Sequence, residues 1–322
     1  ETRVNEGRFE LTTLGFGGEK KAYPLERVIG VNPLLQYLVA APGQRFQITE
    51  LAADPRSNDW FNIYGEEDRR PGEWGHWTGR GMNWNMMCAT CHNTRLRKNY
   101  QATNDSYATT MAEMGVGCEA CHGPMVDHVH WQKLHPKQPA DPTIRKLSWP
   151  QMLDTCGSCH ARRGELTGDF VPGERFADHF ALTFTDDTDI YHPDGQVRDE
   201  DYEYASFLSS KMHMAGVRCI DCHEPHAAKI RTDWDSLCMN CHGAPKPPAP
   251  KIDPAAHGFH KLDQPGGRCV GCHMPQTAYM ARHWRRDHGF TIPDPLLTKQ
   301  QGIPNACNRC HPDKSVDWSI EY

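Results

Sequence analysis

Residues 219–242 read CIDCHEPHAAKIRTDWDSLCMNCH, and this stretch contains one pattern twice. In each copy two cysteines stand three positions apart and a histidine follows the second cysteine, at 219–223 and at 238–242. C-x-x-C-H is the attachment signature of c-type haem, in which both thiols bond to the porphyrin and the histidine ligates the iron. The stretch therefore predicts two covalently attached haems that are close together along the chain.

The same pattern accounts for every cysteine of the 322-residue chain, because all 14 cysteines fall in seven C-x-x-C-H motifs. The predicted covalent attachment sites are Cys88, Cys91, Cys118, Cys121, Cys156, Cys159, Cys219, Cys222, Cys238, Cys241, Cys269, Cys272, Cys307 and Cys310. The predicted proximal iron ligands are His92, His122, His160, His223, His242, His273 and His311. Neither a zinc site nor a disulfide requires a histidine after each second cysteine, so we predict seven c-type haems.

Amino-acid composition limits which folds, partners and cellular compartments are compatible with the chain. With 24 prolines and 27 glycines, the chain favours irregular backbone and short helices. No apolar run is long enough to span a bilayer, and a net charge of −6 without a basic run argues against nucleic acid as a partner. Covalent haem attachment is completed outside the cytoplasm. We therefore expect an exported protein, extracellular or periplasmic, whose numbering begins at the mature chain after cleavage.

The predicted fold class is a mostly irregular multihaem cytochrome c, with short helices around a haem core and a small N-terminal antiparallel β-sheet. Stretches of β-branched and aromatic residues before the first motif predict the sheet, at 8–14, 22–29, 35–40 and 45–51. Short helices are expected beside the motifs, at 104–114, 149–156 and 202–214.

Motif spacing predicts the domain organisation. The longest interval between successive motifs lies between Cys156 and Cys219. It suggests a haem-free β-rich segment, a three-haem part, a connector and a four-haem part, at 1–87, 88–165, 166–205 and 206–322. Since only about 46 residues accompany each haem, neighbouring haems must lie close together.

The histidines outside the motifs can supply the second axial ligand of each iron. They are His76, His128, His130, His135, His179, His192, His213, His226, His257, His260, His283 and His288. His226 lies three residues after His223, and the chain cannot pass from one face of a haem to the other in so few residues. We therefore expect His226 to serve a different haem, and the same argument applies to His128. As a distal iron ligand, His257 is an alternative to His260.

Several longer motifs resemble one known family. They are His76-Trp-Thr-Gly-Arg-Gly, Asn83-Trp-Asn, Cys118-Glu-Ala-Cys-His-Gly-Pro, Tyr191-His-Pro-Asp-Gly-Gln, Ser210-Lys-Met-His, Cys219-Ile-Asp-Cys-His-Glu-Pro-His, Cys272-His-Met-Pro and Arg286-Asp-His. From about residue 22 to 318 the chain is similar to the multihaem c-type cytochrome domain often found upstream of tetratricopeptide repeats. The chain ends at Tyr322, where those repeats would begin. The resemblance implies electron transfer, and it implies distal histidine ligands at His76, His128, His192, His213, His226, His260 and His288.

Three functions compete at this stage. The favoured one is an electron-transfer protein without enzymatic activity, whose partners are other electron-transfer proteins or extracellular acceptors. It includes the expectation of a head-to-tail homopolymer, that is, a conductive extracellular filament. The second is a periplasmic reductase of a nitrogen or sulfur oxyanion with one open haem site, which needs an unoccupied iron position. The third is a docking subunit of a membrane-bound oxidoreductase.

Seven haem increments are expected in the intact mass of the denatured, fully matured chain, because seven complete motifs are present. A matched variant with Cys88→Ser and Cys91→Ser should show six increments. Six or fewer increments in the fully matured wild-type chain would contradict the prediction.

Overall fold

A computed structural model describes residues 2–138, 140–244 and 247–322 of the chain. Glu1, the expected first residue of the mature protein, lies outside the described residues. The strands are β1 Thr2–Asn5, β2 Arg8–Leu14, β3 Lys20–Pro24, β4 Arg27–Ile29, β5 Leu35–Ala41, β6 Arg45–Asp54, β7 Asp59–Asn62, β8 Asn93–Thr94, β9 Tyr100–Gln101, β10 Ser106–Tyr107, β11 Glu113–Met114, β12 Arg163–Glu165, β13 Phe180–Leu182, β14 His223–Glu224, β15 Lys229–Ile230, β16 Gln276–Tyr279 and β17 His283–Arg286.

The helices are short, and most lie beside or within the cysteine motifs. They are α1 Trp84–Met87, α2 Ala89–His92, α3 Glu119–His122, α4 Val126–Leu134, α5 Trp149–His160, α6 Phe176–His179, α7 Glu203–Ser209, α8 Lys211–Met214, α9 Cys219–Cys222, α10 Trp234–His242, α11 Pro254–His257, α12 Cys269–His273, α13 Pro295–Gln301, α14 Ala306–Cys310 and α15 Val316–Glu321. Short helices and small antiparallel sheets confirm the predicted fold class at this coarse level. No helix among the described residues is long and apolar enough to cross a membrane.

The N-terminal strands form two antiparallel sheets. The first has the order β1-β2-β3 and the second the order β4-β5-β6-β7. One sheet was expected, with a single strand at 22–29. The structure ends β3 at Pro24 and starts β4 at Arg27, since the intervening backbone turns to a new partner and Glu26 N donates to Leu38 O at 2.9 Å. The predicted strand therefore divides between the two sheets.

Two of the expected helices differ from prediction. Residues 104–114 are not helical but contain β10 and β11, so the helix predicted there is wrong. Asp105 has a positive φ of 48° and pairs with Arg45 of β6 at 2.6 Å, which fixes a turn instead of a helix. The helix expected at 202–214 is divided at Ser210, whose hydroxyl oxygen accepts from His213 N and caps α8. The helix expected at 149–156 continues to His160 as α5.

The chain divides into two compact units by spatial contact. The first unit contains Glu1–Cys159, Glu165–His179 and Ala278–His283, and the second contains His160–Gly164, Phe180–Thr277 and Trp284–Tyr322. These units follow from spatial contacts, whereas the four-part division of the chain follows from motif spacing and stays a prediction.

A continuous apolar core fills the first unit between its four-stranded sheet and its first cysteine motif. Its buried members are Leu34, Leu38, Ile48, Ala52, Phe61, Ile63, Met82, Trp84, Ala89 and Leu96. Because Ala89 lies between the cysteines of the first motif, the sheet directly supports the haem-attachment helix α2.

The segment Ala278–His283, far from the rest of the first unit in sequence, packs against that unit. Met280 packs against the apolar core, and the guanidinium of Arg282 lies over the Phe61 ring at 4.2 Å. Arg282 also donates to both carboxylate oxygens of Asp59, at 2.7 and 3.0 Å. A bidentate pair of this kind fixes the position of the segment as well as adding attraction.

Truncation of Leu38 should destabilise the first unit. Its side chain is fully buried (0% exposed), so Leu38→Ala should lower the free energy of unfolding by about 2–5 kcal/mol through lost burial and a residual cavity. Val28→Ala in the same sheet is the control, since Val28 is 49% exposed. The free energy of unfolding of both variants, with haem bound, is measured by chemical denaturation monitored with far-ultraviolet circular dichroism. Equal denaturation midpoints for the two variants would refute this placement of the core.

Candidate haem-attachment sites

Each C-x-x-C-H motif lies on or beside a turn of helix. The motifs fall in α2, α3, α5, α9, α10, α12 and α14, and in α9 and α14 the helix ends at the second cysteine. Residues i and i+3 share one helix face, so the helical turn points both thiols in one direction. This arrangement presents two sulfurs and an imidazole to one side of the helix, as covalent haem attachment requires.

Successive motifs of the second unit touch one another. Asp235 of α10 accepts from Cys269 N at 3.1 Å and pairs with Arg268 at 2.9 Å, so α10 holds the start of α12. Burial, followed by the neighbouring Cys238 thiol, raises the pKa of Cys269 to about 12. The first cysteines of the fifth and sixth motifs are therefore side by side.

Electrostatic interactions between cysteines also connect the fourth motif to the fifth and the sixth motif to the seventh. Burial raises the pKa of the Cys222 thiol, and the nearby Asp221 and Cys241 add to the effect. Burial also raises the pKa of Cys272, with contributions from Cys307 and Cys310. Motifs four, five, six and seven thus follow one another in space in their order along the chain.

In the first unit, the cysteines of the third motif adjoin the other two motifs. Cys91 Sγ lies 4.0 Å from the carbonyl oxygen of Ser158. Burial, then Cys159 and Cys156, raise the pKa of Cys121.

Three proximal histidines of the second unit each face a second imidazole. The ring centroids are 6.1 Å apart for His223 and His288 and 5.9 Å apart for His273 and His257. The third pair is His311 with His260, at 6.0 Å. The ring planes are nearly parallel, at 25°, 20° and 14° respectively.

These distances leave room for one metal ion between the two rings. Two imidazole nitrogens bound on opposite sides of one metal, each about 2 Å from it, place their ring centroids about 6 Å apart. Burial, followed by the nearby His288 and His160, lowers the pKa of His223, which favours the neutral imidazole that metals bind. The residues present therefore fit a six-coordinate haem iron at these three motifs.

The second ring nitrogen of several proximal histidines is held by an acceptor. His242 Nδ1 lies 2.9 Å from Pro250 O, and His273 Nδ1 lies 2.8 Å from Thr291 O. A donor hydrogen bond from Nδ1 leaves Nε2 as the free nitrogen and fixes the orientation of the ring. The backbone therefore selects the ring nitrogen that faces the iron.

His160 of the third motif has a carboxylate acceptor instead. Its Nδ1 lies 3.2 Å from Glu203 Oε2. Burial opposes the charged form of Glu203, but the hydrogen bond and charge of His160, together with the charge of His288, lower the pKa of Glu203 to about 2.

The remaining predicted distal ligands have varied surroundings. Burial lowers the pKa of His76 and of His192. His76 is 3% exposed and its Nδ1 lies 2.8 Å from Thr78 Oγ1, so its ring is fixed within the first unit. His128 Nδ1 lies 2.5 Å from Asp141 Oδ2.

The other two predicted distal ligands belong to the second unit. The Nδ1 of His213 is buried without a hydrogen-bond partner among the described atoms, and its ring lies 5.3 Å from the Phe207 ring. The side chain of His226 is 80% exposed, and its Nδ1 lies 3.5 Å from Glu224 Oε1. Facing imidazoles are therefore seen for His260 and His288 of the predicted distal set.

His257 is the candidate that the predicted set omitted. The sequence made it an alternative to His260, but in the structure His257 faces His273 and His260 faces His311. The H-x-x-H spacing before two successive C-x-x-C-H motifs was the available signal, because two histidines three residues apart can serve two neighbouring irons.

Two comparisons find known proteins that resemble parts of this chain. Residues 76–123 match the model of the family described as cytochrome c554 and c-prime, a range that includes His76 and the first two motifs. The crystal structure of the outer cell wall cytochrome OcwA is similar, with a TM-score of 0.60 over 90% of this chain and 72% of that chain. The sequence identity is 19%, so this likeness concerns the fold. A search of curated proteins finds no match.

Motif geometry, the family match and the shared fold support the same class of protein. They support placement of the chain among the multihaem c-type cytochromes, whose cofactor is covalently bound c-type haem. Electron transfer is the general activity of that class.

Proposed function

We propose that this chain is a heptahaem cytochrome that transfers electrons outside the cytoplasm. The observation that best supports the proposal is the set of facing imidazoles at His223, His273 and His311. An iron with two imidazole ligands has no open position for a substrate, and it still exchanges electrons. The structural relative OcwA is by name an outer cell wall cytochrome, which favours an extracellular location for this chain.

A haem held at these motifs would supply one-electron chemistry, since its iron can change between the ferric and ferrous states. The chain's own residues fix where this happens. The paired cysteines would hold each porphyrin, and the three pairs of facing imidazoles would exclude water from the iron between them. Bis-histidine ligation also gives lower reduction potentials than Met/His ligation. We assign His288, His257 and His260 as the distal ligands of the fourth, sixth and seventh motifs.

Five members of the predicted distal set remain for the distal positions of the other four irons. They are His76, His128, His192, His213 and His226. The spacing argument still excludes His226 from the motif that immediately precedes it. The part of the chain at 206–322 is proposed as a linear four-haem relay, since its successive motifs adjoin one another. The parts at 1–87, 88–165 and 166–205 are proposed as the haem-free segment, the three-haem part and the connector.

The finer proposal is that copies of the chain join head to tail into a conductive filament. Strand β1 is at the edge of its sheet, so its outer backbone groups are available to another chain. Val4 and Phe9 form a cross-strand pair on this sheet and are 63% and 58% exposed. A head-to-tail contact whose rotation does not close a ring yields a helical filament.

A specific observation keeps the reductase as a second candidate. Among residues 2–138, 140–244 and 247–322, no imidazole ring is seen opposite His242. The fifth motif is thus one of the four whose distal ligand is unassigned, and an open iron position would be sought among those four. A reductase would also need acid or base groups beside that position.

Loss of His257 should open one iron. His257→Ala should convert one haem from low spin to high spin in electron paramagnetic resonance spectra, because the ring opposite His273 is removed. His130→Ala is the control, since His130 is exposed. A spectrum of His257→Ala identical to the control would refute the assignment. Stoichiometric binding of carbon monoxide by the reduced wild-type protein would instead favour the reductase.

Filaments are expected in electron micrographs of the native extracellular fraction. Val4→Asp should shorten or abolish them, because a charge would replace an exposed apolar contact beside the edge strand. Val126→Asp is the control, since Val126 is also exposed (73%) but lies in a helix. Dispersed globular particles at all concentrations, with every haem attached, would refute the filament and leave a soluble carrier.

A further inference from the structure

Glu203 is placed to act on a haem iron through one of its ligands. It is the first residue of α7, and its carboxylate oxygen Oε2 lies 3.2 Å from His160 Nδ1. Both residues belong to the second unit. The Glu203 side chain is 27% exposed, so water screens its charge only in part.

Other motif histidines of the same unit use neutral acceptors. His242 and His273 are within hydrogen-bond distance of the backbone carbonyls of Pro250 and Thr291. A carboxylate is a stronger acceptor than a peptide carbonyl, because it carries a full charge. The third motif therefore differs from the fifth and sixth in the acceptor at Nδ1 of its histidine, which is a charged carboxylate instead of a neutral carbonyl.

A charged acceptor on Nδ1 changes the ligand strength of the opposite nitrogen. It draws the Nδ1 proton toward itself, so the ring donates more electron density through Nε2 to the metal. More donation stabilises the ferric state relative to the ferrous state and lowers the reduction potential. The negative charge itself acts in the same direction, since oxidised iron carries one more positive charge.

We propose that Glu203 is a positioning residue that orients His160 and sets the haem of the third motif at a lower reduction potential than a neutral acceptor would. The inference rests on the proposed function, because it requires a haem iron bound to His160. It goes beyond that function because it assigns to one carboxylate a difference in reduction potential. The difference is between this haem and the haems whose proximal histidines donate to backbone carbonyls.

Glu203→Gln in the haem-loaded protein tests the proposal, since glutamine has the same length and can still accept a hydrogen bond but carries no charge. A potentiometric titration followed by absorbance and electron paramagnetic resonance should show the potential of one haem shifted upward. Glu321→Gln is the control, because it removes one exposed carboxylate from the same unit without a contact to an imidazole. The control should leave all potentials unchanged.

Glu203→Asp supplies a second variant in case the glutamine protein does not accumulate. It keeps the charge but withdraws it from Nδ1 by one methylene group, so a smaller upward shift of the same haem is expected. Unchanged potentials in the Glu203 variants, with all haems attached and His160 bound to iron, would overturn the inference alone. Spectra of the wild type in which His160 does not ligate iron would overturn the proposed function at this motif, and the inference with it.

Discussion

The structure depends on one constraint, which is that two sulfurs and one imidazole from five consecutive residues must reach a single macrocycle. A helical turn brings cysteines at i and i+3 to one side. Every motif lies on or beside such a turn in the structure, and most of the helices are short. In the first unit, side-chain packing supports one of these turns, because Ala89 packs in the core formed with the four-stranded sheet.

Local signals determined what the sequence could predict. Attachment motifs are contiguous in the chain, so each cysteine and proximal histidine could be named before any fold was known. Strands β2, β5 and β6 were also recognised, because their β-branched and aromatic residues stand between turn formers. The error at 104–114 arose where a tertiary ion pair between Arg45 and Asp105 fixes a turn, which no local pattern encodes.

Ligand pairing was beyond the reach of sequence reasoning for a related reason. His288 faces His223 across a long stretch of chain, and only the tertiary fold decides which imidazole arrives at which motif. His257 illustrates the limit, since its local context made it an alternative to His260 when each histidine has its own partner. Acceptors behind the rings are equally non-local, and they distinguish chemically similar motifs: Pro250 and Thr291 offer a carbonyl, whereas Glu203 offers a charge.

The first unit is discontinuous, and this restricts how the chain can change in evolution. Its last segment, with Met280 in the core and Arg282 on Asp59 and Phe61, comes from between the sixth and seventh motifs. A recombination crossover anywhere in residues 180–277 would combine a first unit from one parent with a completing segment from another. Residues 206–322 therefore cannot be exchanged between related genes as a cassette unless Asp59, Phe61 and Arg282 match in both parents.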